Sequence, residues 1–260
     1  MPGPLEGYKV LELTSTVSGP FASMMLADQG ADVIKVEPPG IGDLARFMGA
    51  IKSGIGAMFT VLNRNKKCIC LDFKNPDDFE VLKTLIKETD VLVENYRPGI
   101  VKKLGIDYDS AVKINPEIIY CSISGYGQSG PYKERKVYDP LIQATAGTAA
   151  AQSSSNPEFF KTIVFDKVTA LTAAQSITSA LLQKERIGKG QYIPISMMDS
   201  ALYYSWPDMM VNQTFLEGGE SIGELADYFS VYKTYDGFIT IILAASDEIF
   251  NLFCEYFKVD

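Results

Sequence analysis

The sequence of 260 residues contains no histidine. This absence excludes catalytic triads built on histidine, histidine proton shuttles and histidine ligands to zinc, and we expect no metal site. Any chemistry must therefore use carboxylates, lysine, tyrosine, cysteine, serine or backbone amides. Basic residues are also in the minority, 24 against 32 acidic ones, which gives a formal net charge of −8. At that charge we expect no nucleic-acid partner.

Cysteine and long apolar runs are scarce as well. The four cysteines are too few for a secreted disulfide scaffold. Cys68 and Cys70 stand in a β-rich run that we predict to be a buried strand. No apolar stretch reaches the roughly 18 residues of a membrane span, and the N-terminus lacks the pattern of a signal peptide. We therefore expect a cytoplasmic protein without a membrane partner.

Short β-rich runs alternate with helical stretches through the first half of the chain, as in Val10–Leu13, Asp32–Val36 and Val91–Val93. This alternation predicts an α/β fold, an open parallel sheet with helices on both faces. In such sheets, ligands bind beyond the carboxyl ends of the strands. We assign 1–217 to this large domain. From a hairpin signal at Asp236-Gly237 and one predicted helix, we expect 218–260 to be the start of a small α+β domain that is truncated.

Asp166 is the first candidate for chemistry. It stands between an extended apolar run, 162–165, and a long predicted helix, 168–185. An aspartate at such a junction usually caps the helix by accepting backbone N–H bonds. The same placement would also hold a carboxylate as a nucleophile towards an acyl group, with backbone amides close to the oxyanion. Composition and spacing leave both interpretations open.

An ordered series of motifs resembles the class III CoA-transferase (CaiB/BaiF) family over nearly the whole chain. The motifs are Pro4-Leu5-Glu6-Gly7, Gly19-Pro20-Phe21-Ala22, Leu26-Ala27-Asp28-Gln29-Gly30-Ala31-Asp32, Asn63-Arg64-Asn65-Lys66-Lys67, Leu71-Asp72-Phe73-Lys74, Glu94-Asn95-Tyr96-Arg97-Pro98-Gly99, Ser122-Ile123-Ser124-Gly125-Tyr126-Gly127 and Gly188-Lys189-Gly190-Gln191. The resemblance implies a Rossmann-like large domain, a smaller second domain and a homodimer. It also implies transfer of coenzyme A from an acyl-CoA to a carboxylic acid, with coenzyme A as a substrate and no tightly bound cofactor.

By this resemblance, the family's catalytic aspartate falls on Asp166. Its carboxylate would attack the donor thioester to form a mixed anhydride and then an aspartyl-CoA thioester, which the acceptor carboxylate resolves. The same resemblance implies a set of residues that bind CoA or substrate: Val17, Ser18, Lys74, Asn95, Tyr96, Arg97, Lys136, Val137, Tyr138 and Asp139. Asp139 has an alternative interpretation, as a helix cap ahead of Pro140.

Two other functions stay open from the sequence. The family's racemase branch carries a Gly-His-Asp triplet where this chain has Val137-Tyr138-Asp139. Racemisation needs one group to remove the α-proton and another to return it, and tyrosine, with an ordinary pKa of about 10, replaces histidine poorly. We therefore favour transfer. The other alternative is a non-catalytic CoA-binding fragment, suggested by the short second domain.

Overall fold

The computed structural model describes residues 2–152, 156–220, 223, 230–241 and 246–258. The strands are β1 (Lys9–Leu13), β2 (Asp32–Glu37), β3 (Ile51–Lys52), β4 (Ile55–Gly56), β5 (Lys66–Cys70), β6 (Val91–Glu94), β7 (Ile119–Ser124), β8 (Tyr192–Ser196), β9 (Val231–Lys233) and β10 (Phe238–Thr240). The helices are α1 (Ser18–Asp28), α2 (Ala57–Leu62), α3 (Pro76–Glu88), α4 (Ile100–Leu104), α5 (Tyr108–Ile114), α6 (Asp139–Thr145), α7 (Thr148–Gln152), α8 (Val164–Ile187), α9 (Met197–Met209) and α10 (Asp247–Phe257). A 3-10 turn covers Leu44–Phe47.

One parallel sheet contains β5, β2, β1, β6, β7 and β8, in that order. The chain passes from β1 through β2 to the edge strand β5, and then returns to the other side of β1 to form β6, β7 and β8. The carboxyl ends of β1 and β6 are therefore the switch point of the sheet, where α/β proteins bind their ligands. The predicted α/β class and parallel sheet are confirmed.

The sheet is covered on both faces because neighbouring side chains of its central strands enter different hydrophobic cores. Val10 packs in a core with α1 and α8, whereas Leu11 packs in a core with α3 and α5. Val93 and Leu92 on β6 divide in the same way. Burial on both sides explains why these strands read as almost continuous apolar runs in the sequence.

Helices α1 and α8 pack together through small residues. Ala22 and Ala27 of α1 share a buried cluster with Ala170 and Ala173 of α8, and small side chains allow a close helix–helix approach. Since α1 follows β1 and α8 leads towards β8, both helices begin at the carboxyl edge of the sheet. The packing thus brings the first turns of α1 and α8 together beside the switch point.

Local signals in the sequence located several elements correctly. Helix α3 begins at Pro76 behind the predicted cap, with Asn75 Oδ1 accepting a bond of 3.0 Å from the Asp77 amide. The Asp236-Gly237 turn joins β9 and β10 as an antiparallel hairpin. The predicted hairpin strands extended to 229 and to 242–243, and those positions lie outside the described residues.

Two sequence predictions are wrong in detail. The run with Cys68 and Cys70 does form a strand, but this is the edge strand β5, and both thiols are exposed. An apolar run alone does not reveal where its strand stands in the sheet. Helix α8 begins at Val164, ahead of the predicted start, so Asp166 lies within its first turn.

No helix in the described parts of the chain is long and apolar enough to cross a bilayer.

Candidate active site

A cavity of about 260 Å³ opens at the switch point of the sheet. The loops that follow β1 and β6, the end of β7, the segment leading into α6 and the first turn of α8 all contribute to it. Its lining residues are Ser15, Thr16, Val17, Ser18, Asn95, Tyr96, Arg97, Pro98, Ile123, Ser124, Gly125, Lys133, Arg135, Lys136, Val137, Tyr138, Asp166 and Met197.

Most of the site residues named from the sequence meet in this cavity. Val17, Ser18, Asn95, Tyr96, Arg97, Lys136, Val137, Tyr138 and Asp166 all line it. Two others do not. Lys74 is exposed after the edge strand β5, two strands away from β1. Asp139 is only 2% exposed and lies behind the cavity wall.

The Asp166 carboxyl group is half-buried at the cavity and has a specific partner. Its Oδ1 accepts a hydrogen bond from the hydroxyl of Ser18, the first residue of α1. Burial raises the pKa of Asp166, the Ser18 hydroxyl opposes that change, and the neighbouring Asp139 carboxylate adds to it. The N-cap of α8 is Ile163, so the interpretation of Asp166 as the cap of its own helix is wrong. A desolvated carboxylate with a raised pKa is a stronger base and nucleophile than one in water.

Asp139 fixes the first turn of α8 from behind. Its Oδ2 accepts backbone N–H bonds from Phe165 at 2.6 Å and from Asp166 at 3.0 Å. The buried Gln143 amide donates to the other oxygen of Asp139 at 2.5 Å. The capping interpretation of Asp139 is right in its chemistry, but the helix that it caps is α8 and not α6, which begins at Asp139 itself.

The loops after β1 and β6 are tied together by Asn95. Its Oδ1 accepts from the Ser15 amide at 3.0 Å, and its Nδ2 donates to the Ser15 carbonyl at 2.9 Å. These two hydrogen bonds resemble the paired backbone bonds of a β-sheet, and they join two loops that are not paired as strands. Asn95 thereby fixes the two sides of the switch point relative to each other.

A glycine allows the segment that carries Lys136 and Val137 to approach the end of β7. A Cβ atom on Gly125 would lie 2.2 Å from Val137 Cγ1, well inside contact distance. Only glycine therefore fits at this position without displacing the segment. The close approach places Lys136, Val137 and Tyr138 along the cavity.

Basic side chains gather at the cavity although the chain as a whole is acidic. Arg97, Lys133, Arg135 and Lys136 all line it, and Asp166 is the sole acidic group among its described lining residues. The Arg135 guanidinium lies 3.8 Å from the ring centre of Tyr132, in a cation–π contact. A locally positive cavity suits a ligand that carries phosphate or carboxylate groups.

Sequence reasoning missed Lys133 and Arg135. The available signal was their spacing around Lys136, in Lys133-Glu134-Arg135-Lys136.

No set of three candidate metal ligands comes together within the described residues.

Glu94 is a buried acid beneath the cavity, at the end of β6. Its carboxyl group accepts hydrogen bonds from the Ser122 hydroxyl and, at 2.8 Å, from the Tyr96 amide. Burial raises the pKa of Glu94 to about 7, although both hydrogen bonds favour the ionised form. The loop that carries Tyr96 is therefore attached to a side chain that changes its charge near neutral pH.

Comparison with known proteins places this geometry in a family. A family model described as CoA-transferase family III matches residues 5–260. Human succinyl-CoA:glutarate CoA-transferase is 37% identical over 259 residues, covering 97% of this chain and 59% of the relative. The formyl-CoA:oxalate CoA-transferase of Afipia carboxidovorans is 41% identical over 201 residues, covering 76% and 47% of the two chains.

Solved structures agree with these sequence comparisons. The crystal structure of a CaiB/BaiF family protein from Brucella suis matches with a TM-score of 0.87 at 33% identity, covering 100% of this chain and 71% of that one. The chain spans 59% of the length of the human relative. From the family model, the relatives and the shared fold together, the chain belongs to CoA-transferase family III, the CaiB/BaiF family.

Proposed function

We propose that this protein transfers coenzyme A from an acyl-CoA thioester to a carboxylic acid, with Asp166 as the covalent nucleophile. The observation that carries this proposal is the half-buried Asp166 carboxyl group, hydrogen-bonded to Ser18 in a cavity with basic walls. Family membership supports the reaction class.

The first half of the reaction loads the enzyme. An Asp166 oxygen attacks the thioester carbonyl carbon, the C–S bond breaks, and a mixed anhydride and the CoA thiolate result. The thiolate then attacks the aspartyl carbonyl carbon of the anhydride. The donor leaves as a free carboxylate, and Asp166 holds coenzyme A as a thioester.

The second half reverses these steps with the acceptor. The acceptor carboxylate attacks the aspartyl thioester and expels the thiolate, which forms a second anhydride. Thiolate attack on the acceptor's acyl carbon gives the new acyl-CoA and releases Asp166 as a carboxylate. The reaction consumes no net proton and needs no metal or redox cofactor in this scheme.

The remaining cavity residues receive binding roles in the proposal. Arg97, Lys133, Arg135 and Lys136 would neutralise the phosphates of coenzyme A, since guanidinium and ammonium groups bind phosphate strongly. Val17, Asn95, Tyr96, Val137 and Tyr138 would contact the remainder of the thioester. Asp139 would act by holding the first turn of α8, while the CoA contact of Lys74 stays a prediction from the resemblance.

The direct test is to trap the covalent intermediate. The protein is incubated with a panel of acyl-CoA thioesters, quenched with hydroxylamine and analysed by peptide mass spectrometry. We expect a hydroxamate at Asp166 with the accepted donors only. Asp166→Asn should abolish both the label and turnover. Asp77→Asn is the matched control because Asp77 is another first-turn carboxylate, on α3, and does not line the cavity. Turnover without a label at Asp166 would overturn the mechanism.

Three further expectations from the sequence stay predictions. These are the cytoplasmic location, the homodimer, and the division between 1–217 and 218–260.

A further inference from the structure

Four charged side chains are buried together beneath the β1–α1 loop and the first turn of α1, which begins at Ser18. They are Glu12 on β1, Lys35 on β2, Asp43 ahead of the 3-10 turn, and Lys66 on β5, and we name them the buried charge cluster. Their side chains are at most 1% exposed. Lys35 Nζ lies 2.7 Å from Glu12 Oε1 and 2.9 Å from Asp43 Oδ2, while Lys66 Nζ lies 2.7 Å from Glu12 Oε2.

The cluster is a costly way to fill a protein interior. Burial opposes ionisation of Glu12 and Lys35, yet their opposite charges prevail, lowering the pKa of Glu12 and raising that of Lys35. For Lys66, burial prevails and lowers the pKa. Buried ion pairs add little net stability compared with well-packed apolar residues. The benefit of these ion pairs to the fold therefore lies in the positions that they fix and not in added stability.

The cluster makes hydrogen bonds to the backbone of the β1–α1 loop and of the first turn of α1. Lys35 Nζ donates to the Thr14 carbonyl at 2.8 Å, and Lys66 Nζ donates to the Pro20 carbonyl at 2.8 Å. Asp43 Oδ1 accepts from the Thr16 amide at 2.9 Å. Three members of the cluster thus hold the backbone on both sides of Ser18.

Thr16 shows that the loop needs this support. Its φ angle is +73°, in the left-handed region that a threonine enters only at a cost. The hydrogen bond from its amide to Asp43 is one contact that holds it there. Released from the cluster, the loop would relax to commoner backbone angles and carry Ser18 away from Asp166.

We propose that Glu12, Lys35, Asp43 and Lys66 form a positioning unit that sets the β1–α1 loop so that the Ser18 hydroxyl reaches Asp166. None of these side chains lines the cavity, so they act through the loop and not on substrate. The catalytic consequence of this inference rests on the proposed function. Its structural consequence does not, and the two can be measured separately.

The test compares two neighbouring lysines on β5. Lys66→Met removes the bond to Pro20 and one arm of the cluster. Lys67→Met is the matched control, because Lys67 is 70% exposed and pairs with Asp32 at the surface. In hydrogen–deuterium exchange, the peptide spanning 14–20 should exchange about tenfold faster in Lys66→Met, with the β7 peptide unchanged. Lys67→Met should match the wild type in both peptides.

Steady-state kinetics give the second measurement. A displaced Ser18 should lower kcat by about tenfold in Lys66→Met, the loss expected from removing the hydroxyl itself, and move the acid limb of the pH–kcat profile to higher pH. Equal exchange rates of the 14–20 peptide in the wild type, Lys66→Met and Lys67→Met would overturn the inference. Faster exchange of the β7 peptide together with the 14–20 peptide in Lys66→Met would also overturn it. A wild type without turnover, but with the expected exchange pattern, would overturn the proposed function alone.

A second pair of variants covers the case in which Lys66→Met does not fold. Asp43→Asn keeps an oxygen that can accept from Thr16, whereas Asp43→Ala removes it, and both variants lose the charge facing Lys35. We expect faster exchange of the 14–20 peptide in Asp43→Ala than in Asp43→Asn. The same exchange in both would overturn the inference.

Discussion

The hydroxyl of Ser18 donates a hydrogen bond to the carboxylate of Asp166, a residue 148 positions later in the chain. The contact joins the first turns of α1 and α8 at the carboxyl edge of the sheet. It favours the ionised carboxylate, whereas burial favours the protonated form. Ser18 therefore limits the rise in the pKa of Asp166 in surroundings that also make its carboxylate reactive.

Replacing Ser18 should shift the pH dependence of the reaction. Without the hydroxyl, the pKa of Asp166 rises further, so in Ser18→Ala the acid limb of kcat moves to higher pH. We also expect kcat at its plateau to fall by about tenfold. Ser23→Ala is the control, because the Ser23 hydroxyl is buried in the same helix and has no hydrogen-bond partner among the described residues. An unmoved acid limb in Ser18→Ala would contradict this role.

Asp139→Asn should shift the pH profile in the opposite direction. The Asp139 carboxylate raises the pKa of Asp166, so removing its charge lowers that pKa and extends activity to lower pH. The asparagine oxygen can still accept from the amides of Phe165 and Asp166. Asp139→Ala loses those bonds as well, and its free energy of unfolding in urea should fall by about 2 kcal/mol. An acid limb that moves upward in Asp139→Asn would disprove the assignment.

Glu94 should make folding stability depend on pH. The pKa of Glu94 is raised from 4.5 to about 7 in the folded protein, so the protonated side chain contributes its full stabilisation below pH 4.5. This stabilisation is lost as the pH rises through 7. The change amounts to about 3 kcal/mol. In Glu94→Gln the contribution is constant, since Ser122 can turn its hydroxyl to accept from the amide. Urea unfolding at several pH values should show the free energy of unfolding of Glu94→Gln increasing relative to that of the wild type between pH 4.5 and 7. Parallel dependence of the two free energies on pH would refute the prediction.

The basic wall of the cavity should control affinity for the thioester. Changing Lys133, Arg135 and Lys136 together to glutamine should raise KM for acyl-CoA by about tenfold and leave kcat within about threefold. The charge-matched control changes Lys83, Lys87 and Lys113, on α3 and α5, none of which lines the cavity. If the control raises KM as much, the effect comes from net charge and not from the site.

Gly125→Ala should disturb the wall that contains Val137. The new methyl group would overlap Val137 Cγ1, so the segment 136–138 must move, with a cost of about 2 kcal/mol and a loss of turnover. The double variant Gly125→Ala/Val137→Ala removes the two Val137 methyl groups but keeps its Cβ, 2.7 Å from the new methyl group, so it should recover only part of both losses. Thermal unfolding and kcat measure this, and a double variant no better than Gly125→Ala would count against the packing argument.

Local patterns predicted much of this molecule. The alternation of strands and helices predicted the parallel sheet, and the Asn75-Pro76 sequence predicted the start of α3. The family resemblance indicated nine of the eighteen residues that line the cavity. The predictions of the sheet and of α3 share a cause, since periodicity, caps and turns depend on interactions over a few residues.

The tertiary structure alone decided which distant groups meet. The sequence contained two possible roles for Asp166 and suggested a local cap for Asp139, yet Asp139 caps a helix that begins 25 residues later and Asp166 bonds to α1. The edge position of β5 and the convergence of Lys133 and Arg135 on the cavity were likewise set by strand order and loop packing. A hydrogen-bonding side chain has the same local propensity whichever partner it finds. The partner is chosen by how the whole chain packs.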